Sequence, residues 1–215
     1  MKERSIQLME KMVHDHPHLA CCKKSLYNAL RACVDRFHHG GKLLLCGNGG
    51  SSCDGEHIVG EMMKGFLLKR KLSPNFVNDM SVYYGEEGKQ MAECLQQGIP
   101  AISLNAHQAL LSATANDINA DYIYAQQVVG YSENRDVFLG ISTSGNAKNV
   151  IYAMQVARVK GLFVIVFCGN GGGSMKHEAD IALISPHQKT YQIQEDHIVL
   201  YHTLCAMIES EMFEE

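Results

Sequence analysis

Apolar residues follow two rhythms along this chain. Over residues 2 to 39 they recur at Ile6, Met9 and Val13, and again at Leu26, Leu30, Cys33 and Phe37. Steps of three and four residues place them on one helical stripe. Pro17 divides the stretch into two helices, because proline is tolerated only in a first turn. Gly40-Gly41 ends the second. From residue 42 the rhythm changes to short, nearly continuous apolar runs followed by small residues. The run 42–46 leads into Gly47-Asn-Gly-Gly-Ser51 and a helix reaching about Lys64. The run 136–140 leads into Ser142-Thr-Ser-Gly145 and a helix over 147–160, and the run 162–167 leads into a glycine loop over 169–173. Residues 101–104 and 181–184 read as two further strands. A last helix covers 191–211, with Ile193, His197, Tyr201, Leu204, Ile208 and Met212 on one stripe and Gln194, Ile198 and His202 along its edge. The stretch from 66 to 99 reads as a surface loop with some helix near 89–97. Short apolar strands alternating with helices predict an α/β fold, a parallel sheet covered on both faces.

Composition narrows the class. Lys plus Arg is 19 against 23 Asp plus Glu, a net charge of −4. That balance lacks the basic face by which nucleic acid is held, so no nucleic-acid partner is expected. Apolar residues are 46% of 215, enough for one core without staples. The expectation is one domain over 1–215, with a helical extension over 1–39 and the α/β core and final helix over 40–215. No run of 18 apolar residues would span a membrane, and the first residues lack a signal-peptide layout. A cytoplasmic protein is therefore expected. Several of the eight cysteines sit in core-like runs, such as Leu43-Leu-Leu-Cys46. They read as free, small buried hydrophobes in a reducing compartment.

Two of the small-residue loops open a helix at the carboxyl end of a strand, where open α/β sheets place ligands. Free N–H groups and the helix dipole favour an anion there, and Ser142, Thr143 and Ser144 add hydroxyls suited to a phosphate. Helix capping alone also accounts for one such loop, but two in one sheet favour a phosphate site. Other loop chemistries fail on spelling. Gly47-Asn-Gly-Gly-Ser-Ser52 lacks the last glycine of a dinucleotide fingerprint, no Gly-Lys precedes a Ser or Thr, and Gly140-Ile-Ser-Thr-Ser144 lacks the final glycine of a nucleophile elbow.

His57 and Glu61 stand four apart on the helix leaving the first loop, hence on one face, with Cys53 a further turn back. Gln194 and His202 lie on the last helix. If the two helices meet, His, Glu, Gln and His form a mixed nitrogen and oxygen set suited to zinc. Without metal, Glu and His still form an acid/base pair. If they do not meet, each pair is an ordinary helix-side feature.

At these residues the chain resembles the bacterial phosphoheptose (sedoheptulose 7-phosphate) isomerases of the SIS fold. The resemblance rests on Cys46-Gly-Asn-Gly-Gly-Ser51 with Asp54, His57 and Glu61, on Ala115-Asn116-Asp117, on Gly140-Ile-Ser-Thr-Ser-Gly-Asn146, and on Gln194-Glu195-x-His197-x4-His202. It implies a three-layer, flavodoxin-like, five-stranded parallel sheet and a homotetramer with active sites at subunit interfaces, the N-terminal helices serving oligomerisation. It implies phosphate on Ser142, Thr143 and Ser144, and sugar held by Asn48, Gly49, Gly50, Ser51, Asn116, Asp117 and Gln194. It implies zinc on His57, Glu61, Gln194 and His202, with Glu61 and His202 as the catalytic pair. The chain departs from the family at Ala147, where a serine is usual, and at Lys64-Gly65, where a Gly-Arg pair is usual. These departures bear on the substrate. A non-catalytic sugar-phosphate-binding protein, a regulator or a partner of the replication initiator, stays open beside the isomerase, as does an isomerase of another phosphosugar.

Overall fold

The computed structural model describes residues 1–213. Helices α1 (Glu3–Asp15) and α2 (Lys23–His38) are joined by a 3-10 turn over Pro17–Cys22, so Pro17 takes the first-turn position expected of it. There follow β1 (Leu43–Gly47), α3 (Gly50–Met63), α4 (Pro74–Cys94), β2 (Ala101–Ser103), α5 (Gln108–Thr114), α6 (Ala125–Tyr131), β3 (Val137–Ser142), α7 (Lys148–Val159), β4 (Phe163–Cys168), α8 (Met175–Glu178), β5 (Ile181–Ile184) and α9 (Thr190–Phe213). The five strands form one parallel sheet in the order β2-β1-β3-β4-β5. The expected three-layer α/β fold is the one found.

Alternation along the strands explains the two covered faces. Leu43, Leu45, Leu139, Ile141, Ile165 and Phe167 point into a core shared with α1, α2, α3 and α9. Leu44, Cys46, Phe138, Val164 and Val166 point the other way, against α6 and α7. Burying both sides requires the nearly continuous apolar runs seen in the sequence. From β1 the chain moves to β2 on one side and then crosses to β3 on the other. The crevice at the carboxyl ends of β1 and β3 is thus the switch point of the sheet.

One stretch differs from expectation. Instead of a loop with helix near 89–97, α4 begins at Pro74 and is kinked at Gly85 (φ 62°). The Ser73 hydroxyl accepts from Phe76 N at 3.2 Å, and Pro74 occupies the first turn. Ser-Pro is a helix-start signal. What hides the helix is its missing stripe: Val82, Tyr83 and Tyr84 are consecutive and all largely exposed. All eight cysteines are free, and among the described residues no helix is long and apolar enough to cross a membrane.

His197 lies wholly within the core beside Phe167, their rings 5.8 Å apart, and neither ring nitrogen makes a hydrogen bond of good geometry among the described residues. Burial pushes its imidazole down to about 4. The folded state therefore binds this proton less readily than the unfolded chain. Stability attached to His197 is complete above the ordinary histidine range near 6.5 and is lost as pH falls towards 4. Thermal melts from pH 7.5 to 4.5 should show His197→Leu losing less stability on acidification than the wild type. Parallel curves would remove His197 from the acid response.

Candidate active site

The site starts at the switch point. Gly47, the last residue of β1, is paired in register with Ile141 of β3, so the loops after both strands emerge side by side. A reciprocal amide pair joins them: Asn48 Nδ2 donates to Asn149 Oδ1 at 2.9 Å, and Asn149 Nδ2 donates to Asn48 Oδ1 at 3.0 Å. The Tyr124 hydroxyl donates to Gly47 O at 2.8 Å, and Asn105 Nδ2 donates to the same carbonyl at 2.9 Å. Neither Tyr124 nor Asn105 stands out in the sequence. Asn105 follows β2 closely, and its place at a strand's carboxyl end is the available signal.

The second loop is shaped by Gly145. Its φ is +65°, and a Cβ there would lie 2.1 Å from Gly172 O. Only glycine takes this turn, which packs the loop after β3 against the loop after β4. Ser142 is buried at the end of β3, Thr143 is half-buried and Ser144 is exposed. Asn146 N donates to Ser144 Oγ at 3.2 Å. The N-cap of α7 is Ala147, in extended conformation with no side-chain cap. An uncapped helix start beside three hydroxyl residues suits an anion.

The first loop turns into α3, carrying Ser51 in its first turn, and α3 runs beside α9. That packing brings together what the sequence left apart. His57, Glu61 and His202 each offer a donor atom within 4.8 Å of the others. His57 Nε2 stands 3.2 Å from Glu61 Oε1 and 3.4 Å from His202 Nε2. Gln194 lies against the first loop: a Cβ on Gly50 would come within 2.3 Å of its Nε2. Lys64 Nζ is 3.8 Å from Glu61 Oε2. Cys53 is exposed and outside the group of three. Asn116 and Asp117 lie on an exposed turn over Ala115–Asn119, Asn116 Nδ2 donating to Asp117 Oδ1 at 2.8 Å.

Supporting groups surround the three. Tyr201 and His57 Nδ1 are 2.9 Å apart, and the same hydroxyl neighbours Asp54. If Nδ1 donates to the tyrosine oxygen, Nε2 keeps its lone pair turned towards Glu61 and His202. Burial drives Asp54 up to about 6, opposed by His57 and Tyr201, and its Oδ2 lacks a hydrogen-bond partner among the described residues. Burial, then the neighbouring His57, lowers His202, while Glu61 pulls it back up. A neutral imidazole beside a carboxylate is a competent proton acceptor near neutral pH.

The donor set fits a divalent metal ion. Two imidazole nitrogens face one carboxylate, and Glu61 Oε2 is buried with no hydrogen-bond partner among the described residues. A buried carboxylate oxygen that lacks a hydrogen bond, beside two convergent nitrogens, is the arrangement a divalent cation satisfies.

A family model described as SIS domain matches residues 88–169. Phosphoheptose isomerase of Leptospira biflexa is 38% identical over 180 residues, covering 84% of this chain and 80% of that protein. Phosphoheptose isomerase of Clostridium acetobutylicum is 32% identical over 98% of this chain and 92% of its own length. Among solved structures, phosphoheptose isomerase from Neisseria gonorrhoeae is 30% identical with a TM-score of 0.71, covering 96% of this chain and 92% of that one. The loops, the paired helices and this similarity over most of the length agree, and the chain belongs to the phosphoheptose isomerase family of SIS-domain proteins.

Proposed function

We propose that this phosphosugar isomerase interconverts sedoheptulose 7-phosphate and D-glycero-D-manno-heptose 7-phosphate. The observation that carries the reading is the meeting of Glu61 and His202 across α3 and α9, beside a loop pair shaped for phosphate. The Ser142, Thr143 and Ser144 loop and the start of α7 hold the phosphate. Asn48 to Ser51, Gln194, Asn116 and Asp117 hold sugar hydroxyls. Anchoring the far end fixes the orientation of the reacting end. Glu61 takes the proton from C1 of the ketose and returns it to C2, through an enediol. His202 moves protons on the C1 and C2 oxygens. Zinc held by His57, Glu61, Gln194 and His202 would supply charge stabilisation for the developing oxyanion. Conversion followed by NMR, across heptose, hexose and pentose phosphates and with or without added zinc, tests the reading. Turnover confined to the seven-carbon sugar supports it, and binding without turnover points to a sugar-phosphate sensor.

The assembly belongs to the same proposal. Val82, Tyr83 and Tyr84 of α4 are 73%, 79% and 67% exposed, and His57 stands open to solvent. Apolar patches of this kind mark protein contacts. A cytoplasmic homotetramer whose subunits close one another's sites covers both. Light scattering giving the mass of one chain would contradict it.

Ala147 offers a test of the phosphate loop. Its extended backbone suits a capping hydroxyl. Ala147→Ser should add about 1 kcal/mol of stability, a rise of roughly 2–4 °C in Tm, and lower the KM for phosphosugar. An unchanged KM would place the phosphate away from this helix start.

A further inference from the structure

Six residues along α9 from His202, about 120° around the helix, a second convergent cluster stands apart from the isomerase site. Asp196 is almost fully buried, with 5% of its side chain exposed. Its Oδ1 lies 2.7 Å from His18 Nε2, and its Oδ2 lies 2.8 Å from His187 Nδ1. The Ser185 hydroxyl donates to the same Oδ2. These side chains come from three separate places: the turn between α1 and α2, the connection from β5 to α9, and α9 itself. The three donor atoms lie within 4.8 Å of one another, and the two imidazole rings are 5.0 Å apart.

We propose that His18, His187 and Asp196 form a second metal site, for zinc or a similar late first-row divalent cation, separate from the isomerase site. Three arguments support it. Two imidazoles and one carboxylate are a recurrent donor set for such ions. A buried carboxylate needs a compensating charge, yet the ion-pair partners of Asp196 among the described residues are these two histidines, and a histidine is cationic only when protonated. The geometry is nearly in place. Bonds of about 2.0–2.1 Å in a tetrahedron separate ligand atoms by about 3.3 Å. Each nitrogen lies within 2.8 Å of one carboxylate oxygen, and the three donor atoms lie within 4.8 Å of one another, so shifts of about 1.5 Å or less in their spacings close the set.

The surroundings fit the same ion. The side chains of His18 and His187 are 39% and 34% exposed, which leaves a wet side for entry and for a water as fourth ligand. The Ser185 hydroxyl bonds Oδ2 and fixes the carboxylate's orientation, as groups around a metal ligand do. An ion here would tie the N-terminal helices to α9 and to the segment entering it. It would stabilise the folded chain without entering the reaction, by selective binding to the native state.

Zinc binding to chelator-stripped protein separates this site from the other. The background is His57→Ala/His202→Ala, which removes both imidazoles of the isomerase site. Zinc retained after desalting is then measured by elemental analysis. We expect one zinc per chain in that background, lost on adding either His18→Ala or His187→Ala, with circular dichroism confirming the fold. No retained zinc in the background overturns the proposal, as does a zinc that survives either substitution. Should a histidine variant unfold, Co2+ added to the background variant decides. One equivalent with the visible bands of nitrogen and oxygen coordination supports the site, and their absence overturns it. Turnover of the wild type bears only on the first site, so the two readings fail independently.

Discussion

Glu61→Gln lowers kcat by about a hundredfold or more and leaves phosphosugar affinity within a few-fold of wild type. Proton transfer by a positioned group contributes roughly 10²–10⁴-fold, and an amide has no basic lone pair with which to make it. Shape is kept, so the helix and its contacts stay. The carboxylate is well placed to accept a proton, since Oε1 faces His57 at 3.2 Å while the buried Oε2 has no hydrogen-bond partner among the described residues. Binding persists because, in the proposed site, the phosphate would be held elsewhere, on the loop after β3. Loss of kcat with unchanged affinity is the signature of an interaction made only in the transition state. Steady-state kinetics beside calorimetric titration of the phosphosugar separate the two quantities. A variant with wild-type kcat would remove Glu61 from the chemistry, and one that no longer binds would place it in recognition.

Glu209→Ala removes at least about 4 kcal/mol of stability, a fall in Tm of roughly 10 °C or more. Glu209 and Arg70 are both essentially unexposed, with Nε and Oε1 2.7 Å apart. The carboxylate also accepts from the backbone N–H groups of Phe66, Leu67 and Leu68, at 2.8, 2.7 and 2.9 Å. Deleting it strands a buried guanidinium and three donors at once, and each costs more unmade than it contributes when made. Arg70 carries the effect to the site. Its Nη1 donates to Met62 O at 2.7 Å and its Nη2 to Glu61 O at 2.9 Å, so it caps the end of α3 that bears the proposed catalytic carboxylate. A drop in kcat should accompany the drop in Tm. Chemical denaturation showing less than about 1 kcal/mol of change would contradict this role for the pair.

The residues behind the first of these effects are visible in the sequence, and those behind the second are not. Strands β1, β3 and β4 are legible because a strand buried on both faces must be an apolar run, and all three lead into loops of glycine and serine. His57 and Glu61 are legible as a pair because four residues make about one helical turn. Their meeting with His202 follows from α3 packing on α9, which no local spacing encodes. Arg70 and Glu209 are 139 residues apart, and nothing in Lys69-Arg70-Lys71 marks the middle cation as the buried one. The same holds for Asp196, whose partners His18 and His187 come from two other segments. Tyr201 lies on the expected core stripe of α9, but its hydroxyl reaching His57 makes it part of the site. The helix α4 escapes notice because its apolar residues, facing outwards, leave no stripe.

At the centre of the proposed chemistry a proton passes between two carbons of a phosphorylated sugar, carried by a group that trades protons with water. Running the wild-type reaction on sedoheptulose 7-phosphate in D2O, and locating the label by NMR, tests this directly. Deuterium at C2 of the aldose product is the predicted result. Isomerisation that leaves C2 unlabelled, or no isomerisation of this sugar, would contradict it.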